Sequence, residues 1–397
     1  MILPEHGWGG LAVRTLYLMS TRPPLASRAD AATYTANAAA AISALQQHWY
    51  DARTGIWDNA WWNSANALTT LADFASIDIA AANQLNVGGI LQNTFANAQR
   101  MQVQALKVMT SGLVQSKYAI QRRRDLTYLD SDIKAAGAPG FLNDYYDDEG
   151  WWALGLIRAW DVSRNQAYLD AAVAIYQDMK TGQGGPCAGG IYWNKDRAYV
   201  NAIANELFLA VAASLANRIP GNAEFLGQAR GQWAWFRASG MINAQGTIND
   251  GLDAQCRNNG GNTWSYNQGV VLGGLVELSR ATGDAGLLDQ ADAIAHAAIG
   301  ALSDRDGVLH DSCEPNCGAD GNQFKGVFVR NLRYLHQARP QQFYKDFITK
   351  NADVIWANDR AANNTLGVVW SGPYAVASGP TQSSALDALV AAMGVNT

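Results

Sequence analysis

The chain predicts an all-α fold, an (α/α)6 toroid of six inner and six outer helices, and three observations predict it. Helical periodicity dominates from residue 31 onward, and sustained strand alternation is scarce. A short signature recurs: a glycine, apolar or aromatic residues, a polar loop, then a helix start. Several of the helices that follow this signature are nearly free of charge, as helices enclosed on all sides are.

The first predicted helix covers 31–49, with Tyr34, Ala38, Ala41, Ile42 and Leu45 along one side. Gly55-Ile56-Trp57 then leads through Asn59 to Trp62 and into a helix over 64–74. Phe141-Leu142, ahead of Asp144, is a degenerate copy. Gly190-Ile191-Tyr192-Trp193 precedes a helix over 199–216. Gly246-Thr247-Ile248 leads through a longer loop to Trp264-Ser265-Tyr266-Asn267-Gln268 and a helix to Arg280. Gly307-Val308-Leu309 passes through a cysteine loop to Gln323-Phe324-Lys325 and a helix to Tyr334. Gly367-Val368-Val369-Trp370 leads to Gln382 and a helix over 384–393. Second helices are predicted over 90–108, 166–179, 223–238, 287–302 and 341–356.

One helical hairpin cannot bury its own apolar face, so such repeats stack, and closing the stack gathers six inner-helix starts at one end. Glycines in stretches such as Gly269-Val270-Val271-Leu272-Gly273-Gly274 would let inner helices approach closely. Residues 31–397 are expected to form a single domain, with 1–30 a segment apart. Residues 111–140 show no clear pattern, and Ile120-Gln121-Arg122-Arg123-Arg124-Asp125 reads as solvated surface.

Charged residues make up only 16% of the 397, while Gly (38), Trp (14) and Tyr (15) are numerous. That is well below the usual quarter of charged residues, and it suits a partner that is polar but neutral, such as carbohydrate. A net charge of -5 excludes nucleic acid or an anionic membrane as the main partner, because both select basic faces. No run approaches the ~20 apolar residues of a membrane span.

The four cysteines favour two disulfides, Cys187–Cys256 and Cys313–Cys317, and hence an oxidising compartment. Zinc is disfavoured: no CxxC occurs and His310 stands alone. No metal or cofactor is expected, the five scattered histidines receive no role, and the protein is expected to be a monomer, secreted or extracellular. Residues 11–19 are too polar for a good signal-peptide core. The last residues carry no hydrophobic tail of the lipid-anchor kind.

The richest stretch is Asn143-Asp144-Tyr145-Tyr146-Asp147-Asp148-Glu149-Gly150-Trp151-Trp152, at the start of a helix. Helix starts are electropositive and rich in free N–H groups, so they accept acids. Asp144 reads as the cap. Asp147 and Asp148 diverge by ~100° on a helix and cannot both serve one cap. Neighbouring tryptophans would shield them and raise a carboxyl pKa. One ionised carboxylate and one protonated carboxyl across a bond is what glycoside hydrolysis needs; the spacing of neighbours fits either a retaining or an inverting pair.

This segment resembles the catalytic segment of glycoside hydrolase family 76, the endo-α-1,6-mannanases and their fungal cell-wall relatives. Supporting stretches are similar too: Trp61-Trp62-Asn63-Ser64-Ala65-Asn66, Gly189-Gly190-Ile191-Tyr192-Trp193, Asn201-Ala202-Ile203-Ala204-Asn205-Glu206, Thr263-Trp264-Ser265-Tyr266-Asn267-Gln268-Gly269 and Phe324-Lys325-Gly326. The resemblance implies an (α/α)6 fold and a retaining mechanism on α-1,6-mannan or mannooligosaccharides. It makes Asp147 the nucleophile and Asp148 the general acid/base. Trp61, Trp62, Tyr146, Trp193, Trp264 and Tyr266 would line the groove or stack on sugars. Asn63, Asn66, Asn205, Asn267 and Gln268 would bond hydroxyls, since amides both donate and accept, and Lys325 could reach the cleft. Against each stands a plainer role: core for the aromatics, loop capping for the amides, a surface ion for the lysine. Two other functions compete, a cell-wall transglycosidase acting on mannan or an anchor glycan, and a non-catalytic carbohydrate-binding toroid.

Overall fold

The computed structural model describes residues 30–110, 112–122, 140–185 and 187–397. Outer helix α1 (Ala31–Trp49) passes through the short pair β1 (Tyr50–Asp51) and β2 (Ile56–Trp57) into inner helix α2 (Trp61–Ile77). Then come α3 (Ile79–Gln84), α4 (Val87–Ala98) and the hairpin β3 (Met101–Thr110) and β4 (Leu113–Arg122). From there inner and outer helices alternate: α5 (Tyr146–Ser163), α6 (Gln166–Lys180), α7 (Ala202–Arg218), α8 (Ala223–Ala238), α9 (Ser265–Thr282), α10 (Gly286–Leu302), α11 (Gly318–Ala338), α12 (Gln342–Asn358) and α13 (Gly379–Asn396).

Each inner helix packs on the next, and α13 returns to α2, so the ring closes. This is the predicted (α/α)6 toroid. Every residue of α2 from Trp61 to Ala75 is buried, which is why its sequence is apolar or neutral on every side except at Asp73, which is ion-paired with Arg158 and Arg333. Glycine sets the spacing where inner helices touch. A Cβ on Gly269 would lie 2.6 Å from the Cα of Phe328, and one on Gly326 2.4 Å from the carbonyl oxygen of Ser384.

In five of the six units the recurring signature is a small hairpin at the start of the unit. Its closing residues pair as Tyr50↔Trp57, Gln183↔Ile191, Ile242↔Ile248, Ser303↔Leu309 and Arg360↔Leu366. The tight turns place Gly55 (φ 73°), Gly246 (φ 80°) and Gly307 (φ 75°) in the left-handed region, which glycine enters without a Cβ penalty. In the last unit Asn364 (φ 62°) takes that place. The last copy is therefore centred on Asn364-Thr365-Leu366, three residues before the predicted Gly367.

Two further expectations are corrected. The predicted helix over 90–108 ends at Ala98, and β3 begins at Met101. Burial there alternates, with Met101 and Val103 inside and Gln102 and Gln104 exposed, a strand period hidden in a stretch that also contains helix formers. Part of the unplaced region 111–140 is the partner strand, paired in register from Thr110↔Leu113 to Met101↔Arg122. The acidic-basic run at 120–125 enters β4 as far as Arg122; its remainder, like residues 1–29, lies outside the described residues. α13 also begins earlier than expected, at Gly379, with Ser378 and Thr381 forming a reciprocal capping box around Pro380.

Both expected disulfides are present, Cys187–Cys256 and Cys313–Cys317. Among the described residues no helix is long and apolar enough to cross a membrane.

Candidate active site

The starts of the inner helices open at one end of the ring, where Trp62, Asp147, Trp151, Trp193, Tyr266 and Asp320 surround a small cavity. Lys107, Met109 and Val114 of the β3–β4 hairpin cover it. Only about 20 Å³ remains inside.

Asp147 and Asp148 stand in the first turn of α5, with free helix N–H groups behind them. Asp148 is fully buried and Asp147 nearly so. The Lys107 ammonium lies between them, 3.1 and 3.0 Å from the two Asp147 oxygens and 2.6 Å from Asp148 Oδ1. Asp148 Oδ2 accepts from Asn143 Nδ2 at 2.7 Å and from the Tyr118 hydroxyl at 3.1 Å. Burial pushes the Asp148 carboxyl up to about 6; Lys107 pulls it down and the negative Asp147 pushes it further up. For Lys107 itself burial disfavours the charge, but Asp147 and Asp148 outweigh it and hold the ammonium above the ordinary lysine value.

Asp144 is not the cap. The N-cap is Tyr145, without a side-chain cap bond, and Asp144 is exposed. Asn143 does that local work: its Oδ1 accepts from the Tyr145 N–H at 2.9 Å. Glu149, buried one residue further on, accepts from the Asn143 N–H and pairs with Lys195 at 2.9 Å. It ties the loop to the helix, and burial keeps its pKa well above the usual carboxylate value.

Of the sequence-predicted binding residues, Trp62, Trp193 and Tyr266 line the cavity. Trp62 stacks on Trp151 at 5.4 Å and donates its indole N–H to Asp320 at 2.6 Å. Tyr266 stacks on Phe324 at 3.9 Å. The structure does not bring the others to it. Trp61 packs on Trp152 and Phe141 in the core, and Trp264 packs on Phe324. Tyr146 points at Thr181, its hydroxyl 3.1 Å from that side chain. Asn66 meets Arg330 inside the ring.

Asn205 and Gln268 are the hairpin clamps of their units. Asn205 bonds both backbone groups of Ile191, at 2.8 and 2.9 Å, and Gln268 those of Ile248, at 2.8 Å each. Gln382 holds the Leu366 N–H in the same way at 2.7 Å. The repeated amides thus follow the repeated hairpins, which is why they looked like a set in the sequence. Lys325 is buried against Glu314 at 2.7 Å and the Val368 carbonyl, over the Trp370 ring. Asn63 and Asn267 are buried off the cavity, and both Asn267 amide atoms lack a partner among the described residues.

Sequence reasoning missed several groups. Asp320 accepts from the Ser116 N–H at 2.5 Å besides Trp62, and Asp250 accepts from the Tyr199 hydroxyl at 2.5 Å. Burial raises both carboxyl pKa values. In the sequence both residues precede the predicted helix starts, where no periodic signal marks them; the structure keeps Asp250 in a loop and puts Asp320 in the first turn of α11. Lys107 and Tyr118 sit in the stretch misread as helix and unplaced loop. Asn143 was within the singled-out segment and could have been found there.

A closed helical toroid with an adjacent acid pair in an aromatic pit is the architecture of a glycoside-processing enzyme. The sequence model of glycosyl hydrolase family 76 matches residues 27–396, and the chain belongs to that family. It is similar to the mannan endo-1,6-alpha-mannosidase DFG5 of Candida albicans, 24% identical over 364 residues, 84% of this chain and 72% of that protein. The DFG5 protein of Saccharomyces cerevisiae is 27% identical over 251 residues, 56% of this chain and 54% of its own length. The chain spans about half the length of that relative and of one from Schizosaccharomyces pombe.

Among solved structures, an inactive variant of the alpha-1,6-mannanase GH76A of Salegentibacter sp. HEL1_6, in complex with alpha-1,6-mannotriose, superposes with a TM-score of 0.71. It is 18% identical, and the match covers 91% of this chain and 99% of that one. Dfg5 from Chaetomium thermophilum, in complex with glucosamine, also gives 0.71 at 18% identity, over 91% and 90% of the two chains. At these identities the superpositions establish the shared fold.

Proposed function

We propose that the protein is a glycosidase that cleaves α-1,6-mannosidic bonds of mannan by a retaining double displacement. The observation that carries the retaining mechanism is the bracket around Lys107. Carboxylates 3.0 and 2.6 Å from one nitrogen have their nearest oxygens no farther apart than those two distances laid end to end. That is short of the ~6.5 Å an inverting pair needs to admit water and suits the ~5–5.5 Å of a retaining pair. The family and the names of the relatives supply the substrate class; the neutral aromatic walls fit it.

In the first step Asp148 gives its proton to the departing glycosidic oxygen while an Asp147 oxygen bonds the anomeric carbon. In the second, Asp148 takes a proton from water, whose oxygen displaces Asp147 and restores the carboxylate. Asn143, donating to one Asp148 oxygen, would hold that carboxyl in place for both transfers. Trp62, Trp193 and Tyr266 would present flat faces to the sugar. Two disulfides suit secretion to an oxidising compartment, where the protein would act as a monomer.

Incubation with linear α-1,6-mannooligosaccharides and chain-length analysis tests the reading. Shorter products support hydrolysis. Longer products, formed when a sugar hydroxyl replaces water in the second step, would make the protein a transglycosidase, and unchanged oligosaccharides would overturn both. The raised Asp148 pKa adds a pH expectation. The first step needs this carboxyl protonated, so kcat/KM should fall as pH rises through about 6, approaching tenfold per unit beyond it. A pH–rate profile checks this; a flat profile from pH 5 to 8 would remove Asp148 as the acid.

A further inference from the structure

The proposed site has no room for a sugar ring. About 20 Å³ is scarcely more than one water molecule occupies, and the β3–β4 hairpin is what fills the rest. From β3, Lys107 enters with its side chain 2% exposed. Its ammonium touches both carboxylates and lies 4.5 Å from the Tyr145 ring centroid. A cation placed between a nucleophile and an acid stands where positive charge would develop on the reacting carbon.

The second strand fastens the hairpin to the ring. The Ser116 N–H donates to Asp320, the Tyr118 hydroxyl to Asp148, and Gln115 Oε1 accepts from the Ala319 N–H at 3.3 Å. The Asn59 and Asn262 amides add longer bonds to the Tyr118 and Gly112 carbonyls, at 3.3 and 3.4 Å, and a two-stranded hairpin is at best marginally stable without such attachments. The base of the hairpin belongs to the core, with Met101 and Val103 buried, but towards the tip Leu106, Val108 and Met109 remain 61%, 49% and 48% exposed, so that end is not a layer of the core. Tyr118 binds it to Asp148, and Lys107 binds it to both acids.

Resting on the proposed function of this site, we infer that hairpin β3–β4 is an autoinhibitory latch. Lys107 occupies the reacting position, and substrate binds only when the hairpin lifts and withdraws it. The latch makes the competent state a fraction of the population, and apparent affinity falls by that fraction. It also keeps the acid pair covered by a counter-charge when no glycan is present.

Lys107→Met, which keeps the length and removes the charge, tests the latch with two readouts. Without ligand, amide hydrogen exchange across 101–110 and 113–122 should speed up by about tenfold or more relative to wild type, with the inner helices unchanged. Unchanged hairpin exchange would overturn the latch. With α-1,6-mannotriose, Lys107→Met should bind about tenfold more tightly by calorimetry and show a lower KM. In wild type the hairpin amides should lose protection on binding. Weaker binding by Lys107→Met, or hairpin amides that gain protection with ligand, would instead make Lys107 part of the productive site and overturn the inference. If neither protein binds any mannooligosaccharide, the proposed function fails, and the ligand-free exchange alone decides the latch.

Discussion

Asp147→Asn is expected to lower kcat on α-1,6-mannan by about 10⁴-fold or more, because an amide cannot form the glycosyl ester on which both steps depend. Asp148→Asn should cost about 10²–10⁴-fold, the range of a lost general acid. The two losses differ in their dependence on the leaving group. An activated aryl mannoside needs little protonation to depart, so Asp148→Asn should recover much of the first step on it, whereas Asp147→Asn should not. Burst and steady-state kinetics of both variants on both substrates check this. Each replacement is isosteric, and α5 is held elsewhere by Trp151, Trp152 and Leu156 in the core, so both variants should remain folded.

Asp73→Ala is expected to destabilise the protein by about 3–5 kcal/mol, the scale for stripping one partner from a buried ion pair. Asp73 lies deep in α2, 1% exposed; it accepts from Arg158 Nε at 2.9 Å and from the Tyr334 hydroxyl, and it forms an ion pair with Arg333, whose Nη2 is 2.8 Å away. Arg333 is itself 1% exposed, so alanine would leave a guanidinium in the ring interior without its counter-charge. Burial opposes ionisation of Asp73, but Arg158 and Arg333 outweigh it and hold the carboxyl at about 2. Its contribution is therefore complete above the unfolded value near 4 and lost as pH falls towards 2.

Asp311 and Asp387 behave oppositely. Burial pushes both up to about 6, so their contribution is complete below the unfolded value and lost as pH rises through 6. Denaturant midpoints measured from pH 3 to 8 should peak on the acid side of neutrality in wild type, and Asp73→Ala should flatten the decline at the low end.

The ring was legible in the sequence because its causes are repeated. Inner helices such as 269–276 have no polar side, and nothing but enclosure permits that. The hairpin signature was legible for the same reason, since a left-handed turn asks for glycine each time. It slipped where Asn364 substitutes for glycine, because asparagine also tolerates that backbone. The acid pair was legible from adjacency at a helix start. The walls of the site were legible only in part: Trp62, Trp193 and Tyr266 line it, but the other predicted binding residues do not. Asn205 and Gln268 occupy equivalent repeat positions, and a side chain repeated from unit to unit serves the scaffold more often than the substrate. Besides Asn143, the residues that meet Asp148 are Lys107 and Tyr118, which reach it across about 40 and 30 residues from strands whose two-residue period is short and mixed with helix formers. Long-range placement of that kind has no local signature.

The central claim is that Asp147 and Asp148 act together as a retaining pair on an α-1,6-mannosidic bond. Proton NMR of the first products released from a linear α-1,6-mannooligosaccharide, recorded before mutarotation, tests it most directly. The account predicts that the new reducing end appears first as the α anomer and relaxes to the equilibrium mixture; a β anomer appearing first would contradict it.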